Sequence, residues 1–181
     1  MFGPPASPDL EAWVLASAPR AVAYARSLLG NKDAAEDIVQ DCYGRLIAKA
    51  HQYDLIRDGT KLLMASISNA CINATMRRKP VVSLATITAG EESSYDPPDR
   101  TTASADEVAS GNELEKAMAS AMAELPVMQR AAVELKALGH SQQEIGEMLK
   151  TTASNAGVLI HRARQTLAKR LAPFLEGDDS Q

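Results

Sequence analysis

Residues 81–112 form a segment that divides the sequence into two parts. The segment contains Gly90, Pro97 and Pro98 among many serine and threonine residues. Acidic side chains also dominate this region, since residues 81–115 carry eight acidic residues and one basic residue. A segment of this composition buries too little apolar surface to hold a stable core. We therefore expect a flexible acidic linker at 81–112 between two small domains, at 1–80 and 113–173, followed by an acidic tail at 174–181.

Both flanking parts place apolar residues at helical spacing and show no strand pattern. Pro19 predicts a break near the first helix, and Asp33 with Glu36 has the spacing of a capping box at the start of the next helix. A further helix is predicted from about Thr60 to a stop at Pro80, after a loop. Only 4% of the residues are aromatic, whereas alanine and leucine, which are strong helix formers, are abundant. The predicted fold class is all-α.

The C-terminal part has the order of elements that is typical of a helix-turn-helix. A short helix ends at a turn with Gly139, and Ser141 with Glu144 forms a second capping-box pattern. Thr152 is placed to cap a longer last helix, which is expected to run to Pro173. In helix-turn-helix proteins this last helix enters the major groove of DNA, where its first turns meet base edges.

One side of the predicted last helix carries polar and basic side chains that suit a DNA surface. Hydroxyl and amide groups hydrogen-bond the edges of bases, and guanidinium groups contact phosphates. The candidate DNA-binding residues on this helix are Ser154, Asn155, Val158, His161, Arg162 and Arg164. The same pattern also fits a plain helical hairpin with a solvated face, so the spacing alone leaves both interpretations open.

The net charge of −4 conceals an uneven distribution of charge along the chain. Residues 1–80 carry +2 and residues 116–172 carry +4, whereas residues 81–115 carry −7 and residues 173–181 carry −3. The two predicted domains are therefore mildly basic, although the whole chain is acidic. This distribution is compatible with contact between each domain and nucleic acid.

The sequence shows no pattern for catalysis, metal binding or membrane insertion. Its histidines, His51, His140 and His161, lie far apart, and Cys42 and Cys71 have no ligand spacing, so they are expected to be buried free thiols. No apolar run approaches the roughly 20 residues that a membrane-spanning helix needs, and the N-terminus lacks a signal-peptide pattern. We expect a cytoplasmic protein that is not an enzyme and has no metal, cofactor or membrane insertion.

The C-terminal part contains the stretch LPVMQRAAVELKALGHSQQEIGEMLKTTASNAGVLIHRARQTLAKRL. Its characteristic residues are Leu125-Pro126, Gln129-Arg130, Gly139 with Ser141, Glu144-Ile145, and Arg162-Ala163-Arg164 with Leu167. With these residues the stretch resembles the promoter-binding C-terminal domain of bacterial sigma factors. The resemblance implies that the last helix contacts the minus-thirty-five element of a promoter.

The N-terminal part resembles the N-terminal domain of the same sigma factors. YARSLLGNKDAAEDIVQDCYGRLI carries Ala35-Glu36-Asp37 and Gln40, and ISNACINATMRRK carries Asn69 and Arg77-Arg78. Two such domains in this order, with only a linker between them, are similar to the extracytoplasmic-function (ECF) group, which contains the smallest sigma factors.

The resemblance implies a set of partners and a role for several residues. Sigma factors bind core RNA polymerase, direct it to promoters and help to open the DNA; an anti-sigma protein is a candidate further partner. Three acidic residues and one glutamine, namely Glu36, Asp37, Gln40 and Asp41, would then meet the polymerase. The promoter-facing helix would present Ser66, Asn69, Asn73, Arg77, Arg78 and Lys79 to the minus-ten element, because amides and hydroxyls hydrogen-bond unpaired bases and basic side chains contact phosphates.

The start of the predicted recognition helix departs from the family pattern. The family commonly has Thr-Val-Lys-x-Arg, whereas this chain has Asn155-Ala156-Gly157-Val158-Leu159, which lacks both basic residues. Glycine also weakens a helix by up to about 1 kcal/mol relative to alanine. One alternative is therefore a sigma-like regulator with weakened promoter binding that acts by protein contact with polymerase or an anti-sigma protein. Another is a helix-turn-helix repressor unrelated to polymerase, which leaves the N-terminal resemblance unexplained.

Overall fold

The computed structural model describes residues 8–78 and 111–175. Within these ranges the chain forms α-helices, one short 3-10 helix and no strand, which confirms the predicted all-α class. No helix in the described ranges combines the length and apolar character required to cross a bilayer. The helices are α1 (Pro8–Leu29), α2 (Lys32–Ala48), α3 (Leu55–Arg78), α4 (Gly111–Glu124), α5 (Val127–Ala137), α6 (Gln142–Met148) and α7 (Ala153–Leu175), with the 3-10 helix at Ala50–Gln52.

The N-terminal unit is a bundle of α1, α2 and α3, each of which packs on the other two. Two buried hydrogen bonds between hydroxyl groups join the helices of the bundle, one between Ser17 and Tyr43 and one between Tyr24 and Ser68, each at 2.7 Å. Cys42 is a free, fully buried thiol, and so is Cys71, as predicted. Because these polar groups are paired inside an apolar core, they specify how the three helices align.

Three predicted helix ends in this unit are wrong. Helix α1 continues through Pro19, because proline removes only one intrahelical hydrogen bond and the packing of α1 on α2 and α3 outweighs that loss. Asn31, rather than Asp33, caps α2, since the Asn31 side chain accepts a hydrogen bond from the backbone N–H of Ala34 at 2.9 Å. The loop predicted before Thr60 is helical from Leu55 onward.

The C-terminal unit contains α4 to α7 and has the predicted helix-turn-helix order. The capping box of Ser141 and Glu144 is present, and Thr152 accepts a hydrogen bond from the N–H of Asn155 at 3.1 Å, so both predicted caps are confirmed. Gly139 has a φ of 96°, a left-handed conformation that suits glycine at the turn between α5 and α6. The predicted stop at Pro173 is wrong, because α7 continues to Leu175.

Gly146 allows α6 to approach the turn that leads into α7. A Cβ atom at Gly146 would lie 3.0 Å from the backbone of Thr152 and of Ala153. We expect Gly146→Ala to lower the free energy of unfolding by about 1–3 kcal/mol, because backbone atoms have to move to admit the methyl group. Urea denaturation measures this change.

Gly44→Ala is the matched control for Gly146→Ala. Gly44 lies inside α2, and a Cβ atom there would meet nothing within 4 Å. Since alanine favours helix over glycine, Gly44→Ala is expected to raise stability by about 0.5–1 kcal/mol. Equal effects of the two substitutions would show that helix propensity, rather than the close approach at Gly146, decides the outcome.

The N-terminal and C-terminal units pack against each other. Helix α3 contacts α5 and α6, and α1 contacts α4 and α5. A single cluster of buried apolar side chains includes residues of both units, for example Ile67 of α3 and Ile145 of α6. The linker predicted at 81–112 lies outside the described residues, apart from its last two positions, which begin α4.

Candidate functional site

Three acidic side chains and one glutamine of α2 form a solvent-facing surface, which we call the acidic face. It consists of Glu36, Asp37, Gln40 and Asp41; Glu36 is half-buried and the other three are exposed. The only ion pair on this face joins Lys32 to Glu36 at 3.8 Å, among the residues that the structure describes. The opposite side of α2 is buried against α1 and α3. The acidic face is thus a solvent-facing surface of negative charge, which suits a basic partner.

The predicted DNA-binding residues of α3 divide into a covered pair and an exposed pair. Ser66 is half-buried and donates a hydrogen bond to the Cys42 sulfur at 3.3 Å. Asn69 is half-buried as well, whereas Asn73 and Arg77 are exposed. Of the two remaining candidates, Arg78 is the last residue of α3 and Lys79 lies outside the described residues.

The predicted DNA-binding residues of α7 are all exposed. On a helix with 3.6 residues per turn, Ser154, Val158 and His161 lie along the centre of the exposed side, opposite the buried Ala156 and Ala163. Arg162 flanks this line on one side and Arg164 flanks it on the other, with Asn155 next to Arg162. The structure therefore brings these six residues onto one surface, with a basic residue at each border.

Asn155 is held in place by the turn that precedes α7. Its side-chain amide nitrogen donates to the Thr151 hydroxyl oxygen at 2.8 Å, and its backbone N–H donates to Thr152. The amide oxygen and the second amide proton remain available for a base edge. This pair of groups is what an asparagine uses to read adenine.

Contacts between the two units cover part of α3. The Asn69 amide donates to the backbone oxygen of Met148, at the end of α6, at 2.8 Å. The Lys61 ammonium lies 3.2 Å from the Glu144 carboxylate and 3.6 Å from the Glu147 carboxylate. Hydrogen bonds from the Ser141 backbone and hydroxyl, together with Lys61, lower the pKa of Glu144 to about 2. The acid is therefore ionised, and able to pair with Lys61, throughout the neutral range.

Arg130 is a buried cation where α5 meets the end of α1. Its guanidinium donates to the backbone oxygens of Ser27 and Leu28 at 2.7 and 3.4 Å. It also donates to the backbone oxygens of Ala123 and Leu125 at 2.6 and 2.9 Å. Since the last carbonyls of a helix lack intrahelical partners, Arg130 satisfies the ends of α1 and α4 at once.

Glu134 lies one helical turn beyond Arg130 and accepts a hydrogen bond from the Ser27 hydroxyl. Burial raises the pKa of Glu134 to about 7, although the Ser27 hydrogen bond and the Arg130 charge lower it in part. Tyr24 of α1 is also close, and burial raises the pKa of its phenol. Burial thus brings the pKa of the Glu134 carboxyl, at the junction of the two units, to about 7.

The Glu134→Gln variant tests this titration. In the folded chain the Glu134 carboxyl keeps its proton up to pH about 7, whereas in the unfolded chain it ionises near 4.5. Folding is therefore penalised progressively as pH rises from 4.5 to 7, by at most about 3 kcal/mol. Urea denaturation across this window should show a steeper loss of stability for the natural chain than for Glu134→Gln, which stays neutral. Identical pH profiles of the two chains would contradict this expectation.

The sequence did not reveal the residues that join the two units. Lys61 and Glu134 were not singled out, and Arg130 was noted only as part of a resemblance. Their partners lie about 80 to 110 positions away, as the separations of 83 for Lys61 with Glu144 and 107 for Ser27 with Glu134 show. No local pattern predicts such a pair. In the described ranges, no group of three or more His, Cys, Asp or Glu side chains is placed to hold a metal ion.

Comparison with known proteins relates both units to one family. Residues 13–80 match the family described as "Sigma-70 region 2", and residues 115–167 match "Sigma-70, region 4". A curated relative, the "ECF RNA polymerase sigma factor SigW" of Bacillus subtilis (strain 168), is 28% identical over 147 residues, which are 80% of this chain and 79% of the relative.

A solved structure has the same overall fold. It is described as the co-crystal structure of the sigma factor RpoE in complex with the anti-sigma factor NepR from Bartonella quintana. The likeness has a TM-score of 0.61 at 22% sequence identity, and it covers 91% of this chain and 97% of that chain.

Proposed function

The chain is a sigma factor of the sigma-70 family, in its ECF group, and we propose a division of labour among three of its surfaces. The acidic face of α2 binds core RNA polymerase, α3 binds the minus-ten element and helps to open the DNA, and α7 binds the minus-thirty-five element. Sigma factors are DNA-binding transcription initiation factors rather than enzymes, so the proposal assigns roles in binding and no catalytic residue.

The acidic face supports the first of these roles. Asp37, Gln40 and Asp41 are exposed on a helix whose opposite side is buried, so they are free to meet a partner. Negative side chains repel DNA but attract a basic protein surface. They speed up the association of the two proteins and help to align them in the complex. This exposed negative surface, inside a region matched to sigma-70 region 2, is the observation that carries the proposal.

The chemistry of α3 supports the second role. Asn73 and Arg77 are exposed, and Asn69 and Ser66 lie on the same side of the helix, at spacings of three, four and four residues. Amide and hydroxyl groups hydrogen-bond the edges of unpaired bases, while an arginine contacts the phosphates. Binding of extruded bases stabilises the melted state of an A·T-rich element, which is how α3 would assist opening.

In vitro transcription with purified core RNA polymerase tests the proposal. Genomic fragments from a bacterium that encodes this chain serve as templates. The start sites of transcripts that appear only when the chain is added to core polymerase locate its promoters. We expect a set of transcripts with shared upstream sequence at two positions. Binding to core polymerase without any such transcript would refute promoter recognition and would leave the alternative below.

The alternative is a sigma-like regulator that acts through protein contacts, with polymerase or with an anti-sigma protein. The observation that favours it is the start of α7. Leu159 stands where the family commonly has arginine, and it is half-buried and packs against the core cluster. Gly157 stands where the family commonly has lysine, and the Gln142 side chain is its nearest neighbour. The two positions therefore supply no basic contact to DNA. The solved relative crystallised with an anti-sigma factor, which motivates the same partner class here.

The Gly157→Lys variant restores a basic side chain at a position where the family commonly has lysine, so it tests how much a phosphate contact there adds to DNA binding. A Cβ atom at Gly157 would lie 3.2 Å from the Gln142 amide nitrogen, at the end of a flexible side chain that can move aside. We expect tighter binding to duplex DNA and a slope of log affinity against log salt that is steeper by about 0.9, as for one added phosphate contact. Fluorescence anisotropy with duplex DNA of random sequence at several salt concentrations gives both values.

Gly157→Ala is the control for this substitution. It strengthens the helix by up to about 1 kcal/mol without adding a charge. Its salt slope should equal that of the natural chain. If Gly157→Ala and Gly157→Lys bind DNA with equal affinity and equal salt slope, position 157 does not face the phosphates. That result would contradict the expected placement of the start of α7 on DNA.

A further inference from the structure

Two glycines mark the line of contact between α6 and the start of α7. Gln142 precedes Gly146 by one helical turn on α6, so the two residues lie on the same side of that helix. A Cβ atom at Gly146 would lie 3.0 Å from the backbone of Ala153, and a Cβ atom at Gly157, one turn further along α7, would lie 3.2 Å from the Gln142 amide nitrogen. The first turn of α6 therefore lies beside the second turn of α7.

The Gln142 amide covers the place where a side chain at position 157 would leave α7. Its nitrogen, carbon and oxygen atoms would lie 3.2, 3.5 and 3.6 Å from a Cβ atom there, so the whole amide lies across this position. Gln142 is exposed, and its amide forms no hydrogen bond with any other residue of the described ranges. The amide protons are thus available to a partner outside the chain.

Position 157 borders the surface of α7 that is proposed to contact DNA. On a helix with 3.6 residues per turn, it lies between His161 and Arg164 around the helix axis. Both of these side chains are exposed. The Gln142 amide therefore lies at the Arg164 border of the surface, on the side away from Asn155. A residue of α6 extends the surface at this border.

We propose that Gln142 is a further DNA contact, whose amide donates a hydrogen bond to a backbone phosphate of the minus-thirty-five element. The amide takes the place of the lysine that the family commonly has at position 157. This inference rests on the proposed function of α7, and it goes beyond that function because every other DNA-binding candidate of the C-terminal unit lies on α7. Gly157 is part of the device, since a longer side chain there would displace the amide.

An amide and a lysine differ in one measurable way when they contact a phosphate. A hydrogen bond to a charged acceptor is stronger than one between neutral groups, so the amide stabilises the complex. The amide carries no charge, however, and releases no counterion from the DNA. Loss of the Gln142 contact should therefore lower the affinity for DNA and leave the slope of log affinity against log salt unchanged.

The Gln142→Ala variant of the full chain tests the contact, with Gln143→Ala as its matched control. Gln143 is the next residue of α6 and is also exposed, but its amide donates to Glu147 of the same helix at 3.4 Å. Fluorescence anisotropy with duplex DNA of random sequence measures affinity at several salt concentrations. We expect Gln142→Ala to bind about tenfold more weakly, as for one hydrogen bond to a charged group, with an unchanged salt slope. Gln143→Ala should bind as the natural chain does, and equal affinities of the two variants would overturn the proposal.

A double-mutant cycle with Gly157→Lys tests whether the amide replaces the lysine. The lysine side chain displaces the Gln142 amide, so the salt slope becomes steeper by about 0.9. In the Gly157→Lys background, Gln142→Ala should then have no further effect on affinity. Such coupling is expected only if the two groups compete for one place. A full additional loss would refute the replacement of lysine by the amide.

Arg162→Ala separates a failure of this proposal from a failure of the proposed function. Arg162 is an exposed candidate on α7, and its loss should weaken binding and make the salt slope shallower by about 0.9. A loss for Arg162→Ala without one for Gln142→Ala would refute the role of Gln142 and leave the function of α7 standing. No loss for either variant would refute DNA binding by this surface, and both proposals with it.

Discussion

Replacing Glu36 and Asp37 together by lysine is expected to weaken the binding of core RNA polymerase by about a hundredfold or more, because like charges placed opposite each other at an interface cost several kcal/mol. Asp37 is exposed, and Glu36 makes only the exposed ion pair with Lys32 at 3.8 Å. Pairs of this kind contribute at most about 1 kcal/mol to folding. The variant should therefore keep its helical content and melting temperature. Competition with a labelled natural chain for purified core polymerase measures the loss.

Glu113→Lys with Glu115→Lys is the matched control for this experiment. Both residues are exposed in the first two turns of α4, and their replacement changes the net charge by the same amount. We expect polymerase affinity within about threefold of the natural chain, since distant exposed charges act only through screened, long-range attraction. If the α2 and α4 variants lose affinity equally, overall charge attracts polymerase, and the acidic face is an ordinary solvated surface.

Replacing Arg130 by methionine is expected to lower the free energy of unfolding by about 3–5 kcal/mol, because each buried carbonyl that loses its donor costs about 1–3 kcal/mol and several lose it at once. Arg130 is 6% exposed and donates to four backbone oxygens, two at the end of α1 and two beside the turn between α4 and α5. Methionine fills similar volume but leaves these carbonyls without their donor. Urea denaturation, followed by circular dichroism, measures the change.

Two further substitutions serve as controls for the loss of stability in Arg130→Met. Arg170→Met removes an arginine whose 2.7 Å pair with Glu124 is largely exposed, so stability should change by less than about 1 kcal/mol. Arg130→Lys keeps the charge but loses the planar fork that reaches several carbonyls, and its stability should fall between those of Arg130→Met and the natural chain. A loss for Arg130→Met no larger than that for Arg170→Met would show that water replaces the guanidinium at the junction.

The elements that the sequence predicted correctly depend on residues close together in the chain. The capping box joins Ser141 to Glu144, and Thr152 caps α7 through Asn155, so each contact spans three positions. The exposed faces of α2 and α7 follow from helical periodicity in the same way. Whether these faces bind polymerase and promoter DNA remains a prediction that the experiments above address.

The incorrect predictions arose where packing outweighed a local preference. Pro19 removes one backbone donor, yet α1 continues because Ala21 and Tyr24 beyond it are buried against the other helices. The segment before Thr60 reads as a loop, but Leu55 is buried in the core and Asp54 accepts from the N–H of Arg57, which begins α3 earlier. In both cases burial of apolar surface stabilises helix where the sequence signals an interruption.

The sequence by itself determined the all-helical class, the helix-turn-helix order, the acidic face of α2 and the exposed face of α7, because caps and amphipathic stripes are properties of residues within a few positions of each other. Only the tertiary structure decided that Asn69 meets Met148, that Lys61 meets Glu144 and that Arg130 caps α1. These pairs are about 80 to 100 residues apart. They form because two apolar surfaces, remote in the chain, exclude water from each other and carry their polar neighbours into contact.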